Sequence, residues 1–387
     1  MSPRHFTSID DLSLEEIGTI FSLAEKYIRE LADPNVPYRV AKSTNACVGS
    51  LMATLFYEPS TRTRLSFESA MLRLGGGIIS SADPMASSAA KGESLADTIR
   101  MASAYADVLV LRHPREGTAK FATEYASVPV INAGDGAHEH PTQTLCDLFT
   151  ILRERGTLNS LTVALLGDLR SGRTAHSLAY ALARYGANIV LMPAKSLEFP
   201  DHLASRLQDA FHYEHLEASR LQETDQRITG ALIPKGKAVP TLDAIDVLYV
   251  TRFQKERFAE PAPVYPVVNV NFLASDRFRN TLVLHPLPRV GELEPGFDQD
   301  NRAGYFRQAS YGVPVRMALI TFLLKGDAKR VPSQDDAGRT YDGVVCGNAN
   351  CISRDAGEPA ASPKLELLPC DPPRLRCRYC DHEVPPA

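Results

Sequence analysis

Seven short apolar runs alternate with stretches of helical periodicity: Leu51 to Phe56, Val108 to Leu111, Val128 to Asn132, Leu161 to Leu166, Ile189 to Met192, Val247 to Val250 and Leu282 to Leu284. A continuous apolar run belongs to a strand buried on both faces, and helices between such strands make the crossovers that parallel pairing requires. The pattern predicts an α/β architecture of parallel sheets. At 387 residues the chain exceeds the roughly 150 expected of one domain, so more than one core is needed. Ser13-Leu-Glu-Glu16 reads as a capping box that opens an amphipathic helix carrying Ile17, Ile20, Phe21, Ala24, Ile28 and Leu31, a scaffold element. Pro141 to Arg155 reads as a helix joining two sheet-forming halves.

Ligands of open parallel sheets bind beyond the carboxyl ends of the strands. Here those ends are polar and basic: Glu58-Pro-Ser-Thr-Arg-Thr-Arg64, Arg112-His-Pro114, Gly134-Asp-Gly136 with His138-Glu-His140-Pro-Thr-Gln143, Gly167-Asp-Leu-Arg-Ser-Gly-Arg173, Thr251-Arg252-Phe-Gln254 and His285-Pro-Leu-Pro-Arg289. Solvated loop arginines would not fall so regularly after buried runs. Ser60-Thr61-Arg62-Thr63 lies where a strand turns into the helix carrying Leu65, Phe67, Ala70, Leu72 and Leu74. Backbone N–H groups, hydroxyls and a guanidinium at a helix start make a phosphate site without a glycine-rich loop. Ser60 alone would serve as a cap; two hydroxyl-bearing threonines and two arginines exceed that need. Gly167 to Thr174 nearly spells a nucleotide-binding P-loop, but Arg173 stands where that motif has lysine. His113, His138, His202, His212 and His215 read as surface or supporting residues.

Lys plus Arg total 42 against 46 Asp plus Glu, so no global basic excess recruits nucleic acid or an anionic membrane. No run approaches the roughly 20 apolar residues of a membrane span, and the first residues lack a signal-peptide apolar core, so a cytoplasmic location is expected. Five of the seven cysteines crowd the last 42 residues. Cys346-x4-Cys351 and, 25 residues on, Cys377-x2-Cys380 form two thiolate turns able to close one structural tetrahedral Zn²⁺ site. Disulfide pairing of the same cysteines fits a reducing compartment poorly, and few basic residues argue against a nucleic-acid zinc ribbon. Cys370 is the odd thiol, expected not to bind metal. Residues 326–343 read as a linker, and the segment from about Arg220 to Pro240, rich in Gly and Pro, as a surface insertion.

Phe56-Tyr-Glu-Pro-Ser-Thr-Arg-Thr-Arg-Leu-Ser-Phe-Glu68 resembles the carbamoyl phosphate signature of the carbamoyltransferases. Lys91-Gly-Glu-Ser-Leu-Ala-Asp-Thr98, Arg112-His-Pro114, Asn132-Ala-Gly-Asp-Gly136, His140-Pro-Thr-Gln-Thr144, Gly167-Asp-Leu169, Gly172-Arg-Thr174, Arg252 to Arg257 and His285 to Arg289 follow in the order of the aspartate carbamoyltransferase catalytic chains, over about residues 5–325. The tail Cys346-Gly-Asn-Ala-Asn-Cys-Ile-Ser353 with Cys377-Arg-Tyr-Cys380 resembles the zinc domain of the regulatory chain of that family, here fused to a catalytic chain. The nucleotide-binding domain that precedes that zinc domain in the family has no room in the linker, so no response to CTP or ATP through it is expected.

The resemblance implies the carbamoyltransferase fold, two doubly wound parallel-sheet domains plus a small zinc-bound β module. It implies a carbamoyl phosphate-binding domain over 1–150, an aspartate-binding domain over 151–308, a helix 309–325 packing back on the first domain, the linker 326–343 and the zinc domain 344–387. It implies transfer of the carbamoyl group of carbamoyl phosphate to the amine of L-aspartate, an early step of pyrimidine biosynthesis, by a homotrimer that could pair further. Ser60, Thr61, Arg62 and Thr63 would bind the phosphoryl group, and Thr63, Arg112, His140, Gln143 and Leu287 the carbamoyl end, with Arg62, Thr63, Arg112 and His140 catalytic. Lys91, Arg173, Arg252, Gln254 and Pro288 would bind aspartate, Ser87 and Lys91 reaching in from the neighbouring subunit. An ornithine-specific relative has Cys where Pro286 stands and must receive a cationic side chain, so Arg252 and Pro286 favour aspartate. No catalytic cofactor is implied.

Overall fold

A computed structural model describes residues 3–81, 92–221, 225–253, 264–326, 344–368 and 373–385. The chain divides into two compact units, residues 1–142 with 313–387, and residues 143–312.

In the first unit helix α1 (Leu14–Leu31) begins at the expected capping box: Ser13 Oγ accepts from the Glu16 amide at 3.2 Å, and the Glu16 carboxylate accepts from the Ser13 amide at 2.8 Å. Its buried face is the expected apolar stripe plus Tyr27. A short antiparallel ribbon, β1 (Ala32–Asp33) and β2 (Val36–Val40), follows. Then come β3 (Leu51–Phe56), α2 (Thr61–Arg73), β4 (Gly77–Ser81), α3 (Leu95–Tyr105), β5 (Val108–His113), α4 (Thr118–Ala122) and β6 (Val130–Asp135), after which α5 (Pro141–Arg155) runs on into the second unit from Gln143. The strands form a parallel sheet in the order β4-β3-β5-β6. Strand β4 escaped the apolar-run argument because it is a half-exposed edge with two isoleucines as its only large apolar residues. Leu65 and Leu72 of α2 point outward, and Phe67, Ala70 and Met71 carry its buried face.

The second unit holds β7 (Thr162–Gly167), α6 (Arg173–Ala183), β8 (Asn188–Pro193), α7 (Asp201–Phe211), β9 (Tyr213–Glu217), β10 (Gly230–Pro234), β11 (Val247–Val250) and β12 (Leu282–Leu284), in the sheet order β12-β11-β7-β8-β10-β9. Strands β12, β11, β7 and β8 are parallel, whereas β10 runs antiparallel to both its neighbours. The surface insertion expected over 220–240 is corrected here: Gly230 to Ile233 are buried in the sheet. Gly and Pro bracket the run because a Cβ on Gly230 would lie 2.6 Å from the Leu216 carbonyl oxygen, and because the proline ends the pairing. Helix α8 (Tyr305–Lys325) starts in the second unit, and its residues from Val313 onward belong to the first. There the Arg316 guanidinium stands 5.0 Å from the Phe67 ring, and Tyr27 Oη is 2.9 Å from Thr321 Oγ1.

The C-terminal module is a three-stranded antiparallel sheet, β13 (Leu365–Leu368), β14 (Arg374–Cys377) and β15 (Glu383–Val384). Ile352, Ala361, Leu365 and Tyr379 share one buried cluster with Leu95, Ile99, Leu109 and Phe121 of the first unit. A segment too small for a core of its own thus completes one on the face of α3, β5 and α4.

Candidate active site and metal centre

In the first unit the ends of β3, β5 and β6 hold the residues singled out in the sequence. Ser60 is the N-cap of α2, yet its side chain makes no capping hydrogen bond. The first turn of α2 therefore keeps its amides and the Ser60 hydroxyl for another acceptor, the arrangement that binds anions at helix N-termini. Thr61 and Arg62 are exposed and Thr63 is buried. Arg112, at the end of β5, is only 7% exposed; it donates to the Ala133 carbonyl at 3.1 Å and to Glu58 Oε1 at 2.7 Å. Its Nε is buried without a hydrogen-bond partner among the described residues. A buried donor left unsatisfied costs about 1–3 kcal/mol, so this Nε is open to a further acceptor. Thr142 Oγ1 lies 3.4 Å from Nδ1 of the buried His140, just after the loop that closes β6.

That loop is folded on one carboxylate. Asp135 accepts from the Asn132 side chain at 3.0 Å, from the amides of Glu139 at 3.1 Å and Gly117 at 2.9 Å, and from His138 Nδ1 at 3.0 Å. Burial opposes charge on His138, but Asp135 and Asp381 on either side hold the imidazole protonated well above its ordinary range.

In the second unit Arg173 is the first residue of α6, Arg252 lies two residues past the end of β11, and both are half-buried. Gln143 donates to Asp147 at 2.7 Å, and Asp147 also accepts from Gln308 at 2.6 Å and from Tyr249 at 2.9 Å. Gln308 accepts from the amide of His285 at 2.9 Å, the first residue of the loop holding Leu287 and Pro288. Leu287 has φ 53°, and its bond to Pro288 is cis. Burial raises the Glu292 carboxyl, but hydrogen bonds from His285 and the Val290 amide outweigh it and hold it below the usual range. Tyr265 Oη accepts from the Asp168 amide at 2.7 Å and donates to the Thr251 carbonyl at 2.9 Å, tying the ends of β7 and β11 together. Gly167 makes this possible: a Cβ there would lie 2.1 Å from that hydroxyl.

Among the described residues the four cysteines Cys346, Cys351, Cys377 and Cys380 are buried, with sulfurs all within 4.8 Å of one another. Cys346 and Cys380 are 3.5 Å apart, and Cys351 and Cys377 3.8 Å. Contact with Cys346 holds the Cys351 thiol well below its ordinary range and pushes Cys377 and Cys380 far above theirs. Four crowded thiols cannot all ionise unless a cation sits among them, which is the chemistry of a metal-binding shell.

Ser87, Lys91, Gln254 and Cys370 lie outside the described residues. Sequence reasoning missed the partners Glu58, Asp135, Asp147, Tyr265 and Glu292. Glu58 and Asp135 stand inside quoted motifs, so their proximity to Arg112 and His140 was the available signal. Tyr265 and Glu292 had none.

Comparison with known proteins gives three matches. Residues 4–153 match the carbamoyl-P binding domain of aspartate/ornithine carbamoyltransferase, residues 159–323 its Asp/Orn binding domain, and residues 339–385 the metal binding domain of the aspartate carbamoyltransferase regulatory chain. The chain is 44% identical over 325 residues to the aspartate carbamoyltransferase catalytic subunit of Thermoplasma acidophilum, covering 83% of this chain and 98% of that one. The catalytic subunit of Clostridium botulinum is also 44% identical, over 81% of this chain and 95% of its own length. Among solved structures, the catalytic subunit of M. jannaschii aspartate transcarbamoylase is similar with a TM-score of 0.68 and 41% identity, covering 84% of this chain and 99% of that one. The Trypanosoma cruzi aspartate transcarbamoylase in complex with carbamoyl phosphate and aspartate has a TM-score of 0.67 and 36% identity, covering 83% and 96%.

Proposed function

The chain belongs to the aspartate/ornithine carbamoyltransferase family and is an aspartate carbamoyltransferase, and from that premise we propose how its own residues divide the work. The reaction joins the amine of L-aspartate to the carbamoyl carbon of carbamoyl phosphate and releases N-carbamoyl-L-aspartate and phosphate. Ser60, Thr61, Arg62 and Thr63 bind the phosphoryl group through the uncapped start of α2. Thr63, Arg112, His140, Gln143 and the Leu287 backbone hold the carbamoyl end, the first three aimed at the oxyanion that forms when the amine adds. One such donor is typically worth about two to three orders of magnitude in rate. The observation that carries this reading is the buried Arg112 guanidinium, fixed by Glu58 and Ala133 and left with an unsatisfied Nε. The proton lost by the amine goes to the departing phosphate, since no carboxylate among these groups has a base's role to fill.

Arg173, Arg252, Gln254, Lys91 and Pro288 receive aspartate, whose two carboxylates suit paired guanidinium groups. The neighbouring subunit supplies Ser87 and Lys91, so the enzyme is a homotrimer, in the cytoplasm. The family matches over 4–153 and 159–323 support assigning carbamoyl phosphate to the domain of residues 1–150 and aspartate to that of 151–308, with 309–325 returning to the first domain and 326–343 linking it to the module of 344–387. The metal is a structural Zn²⁺: bonds of about 2.3 Å in a tetrahedron set sulfurs about 3.8 Å apart, and the cysteine spacings of 3.5 and 3.8 Å fit it. Four thiolates leave no open position, so zinc would supply folding energy and no chemistry.

A carbamoyl-transfer assay comparing L-aspartate with L-ornithine tests the proposal. Phosphate release that depends on L-aspartate supports it; turnover with L-ornithine instead would refute it.

A further inference from the structure

The four-cysteine cluster and the loop that carries His140 meet at the His138 imidazole. Asp381 directly follows Cys380, and its placement is set by the turn that presents the sulfurs: the Asp381 amide donates to the Cys377 carbonyl at 2.9 Å, and the Cys377 amide to the His382 carbonyl at 2.8 Å. Asp381 sits in the left-handed region, φ 57°, which turns its side chain away from the strand path. Its Oδ2 lies 3.4 Å from His138 Nε2, while His138 Nδ1 lies 3.0 Å from Asp135 Oδ2. On the other side of Asp135 the loop is closed by hydrogen bonds from Asn132 and from the amide of Glu139, the residue before His140.

We propose that Asp381 and His138 are positioning residues for His140, so that the metal-bound turn of the C-terminal module sets the geometry of the active-site loop. This rests on the role given to His140 above. Other contacts of the docking face also hold the module, and those of Asn350 with the Pro114 carbonyl at 3.0 Å and with Glu116 lie beside Gly136 of the same loop. Asn348 and Asn350 bind Glu116, Arg115 pairs with Asp355 at 3.1 Å, and Glu358 caps the start of α3 at Leu95. A module that served only to cover apolar surface would need no charged residue on the loop. His138 stands between the two carboxylates, one on each ring nitrogen, so the link is directional where packing is not.

The test is steady-state kinetics on the full-length metal-loaded protein carrying Asp381→Ala, His138→Ala, both together, Asp381→Asn, and His140→Ala as control, with zinc content measured for each. Each single alanine variant should keep its metal and lower kcat roughly 3- to 30-fold, the range expected of a displaced positioning element, with KM for L-aspartate changed less than about twofold. The double variant should be no worse than the worse single, because both cut one chain of contacts. Asp381→Asn, which keeps an acceptor oxygen, should recover most of the loss. Unchanged kcat in metal-loaded Asp381→Ala, or losses that multiply in the double variant, would overturn the proposal. If Asp381→Ala fails to hold metal, His138→Ala decides alone, since that residue lies outside the module. A fully active His140→Ala would instead overturn the reading of the active site.

Discussion

The backbone amide of Leu287 donates to Nδ1 of His285 at 2.8 Å. That bond leaves the imidazole proton on Nε2, which donates to Glu292 at 2.7 Å. Both side chains of the pair are fully buried, and Glu292 accepts in addition from the Val290 amide at 2.9 Å. One carboxylate thus braces both ends of the loop that presents Leu287 and Pro288.

Glu292→Ala should therefore destabilise the second unit by about 2–3 kcal/mol, the penalty for stripping a buried donor of a charged partner. It should also raise KM for L-aspartate. Glu292→Gln keeps an acceptor and should recover most of the stability in urea unfolding. Equal stability of the alanine variant would mean the loop is held by other contacts.

Arg62→Ala should cut turnover by about two to three orders of magnitude. Arg62 is exposed at the first turn of α2, so the far-ultraviolet circular dichroism and the melting temperature should stay close to those of the parent protein. A folded variant with near-normal activity would remove the phosphate clamp from the mechanism.

Stability should fall as the pH drops from about 6.5 to about 4. His176 is half-buried, and desolvation depresses its pKa from 6.5 to about 4 although its Nε2 donates to the Leu169 carbonyl at 2.7 Å. His113 is depressed to about 4 for the same reason. The unfolded chain takes up these protons near pH 6.5 while the folded chain resists, so the contribution is complete above that pH and is lost on the way down. Glu16, held low by its hydrogen bond from Arg4, acts only at the acid end below the ordinary carboxylate range. Urea midpoints measured from pH 7.5 to pH 4 should flatten in His176→Gln; an unchanged slope would assign the acid loss to other groups.

Mixing inactive Lys91→Ala chains with inactive Arg62→Ala chains should restore part of the activity. In hybrid trimers some interfaces pair an intact lysine from one chain with an intact clamp from its neighbour. Verified subunit exchange without recovery would argue against shared sites.

One zinc per chain is expected by elemental analysis, and Cys377→Ser should abolish it. The β13–β15 sheet should then lose protection from proteolysis while α1 and the β3–β6 sheet keep theirs, since only the module depends on the metal for its fold. Retention of a full equivalent of zinc would exclude Cys377 from the shell.

Local spacing alone carried much of this protein. Continuous apolar runs mark β3, β5, β6, β7, β8, β11 and β12 because a strand buried on both faces has no polar position to spare. Ser13 and Glu16 mark the start of α1, and Cys346, Cys351, Cys377 and Cys380 mark one cluster because ligands paired in short turns must converge. Strand β10 was missed because its partners β8 and β9, not its own glycine and proline, make it part of the sheet. The same reason hid the groups that aim the site. Asp147 meets Gln308 across 161 residues, and His138 meets Asp381 across 243. The sequence by itself determined which elements form and which side chains carry chemistry, since both depend on neighbours a few residues away. Only the tertiary structure decided which carboxylates hold those side chains in place and which face the C-terminal module covers, since a buried charge is made tolerable by partners that chain folding alone brings near.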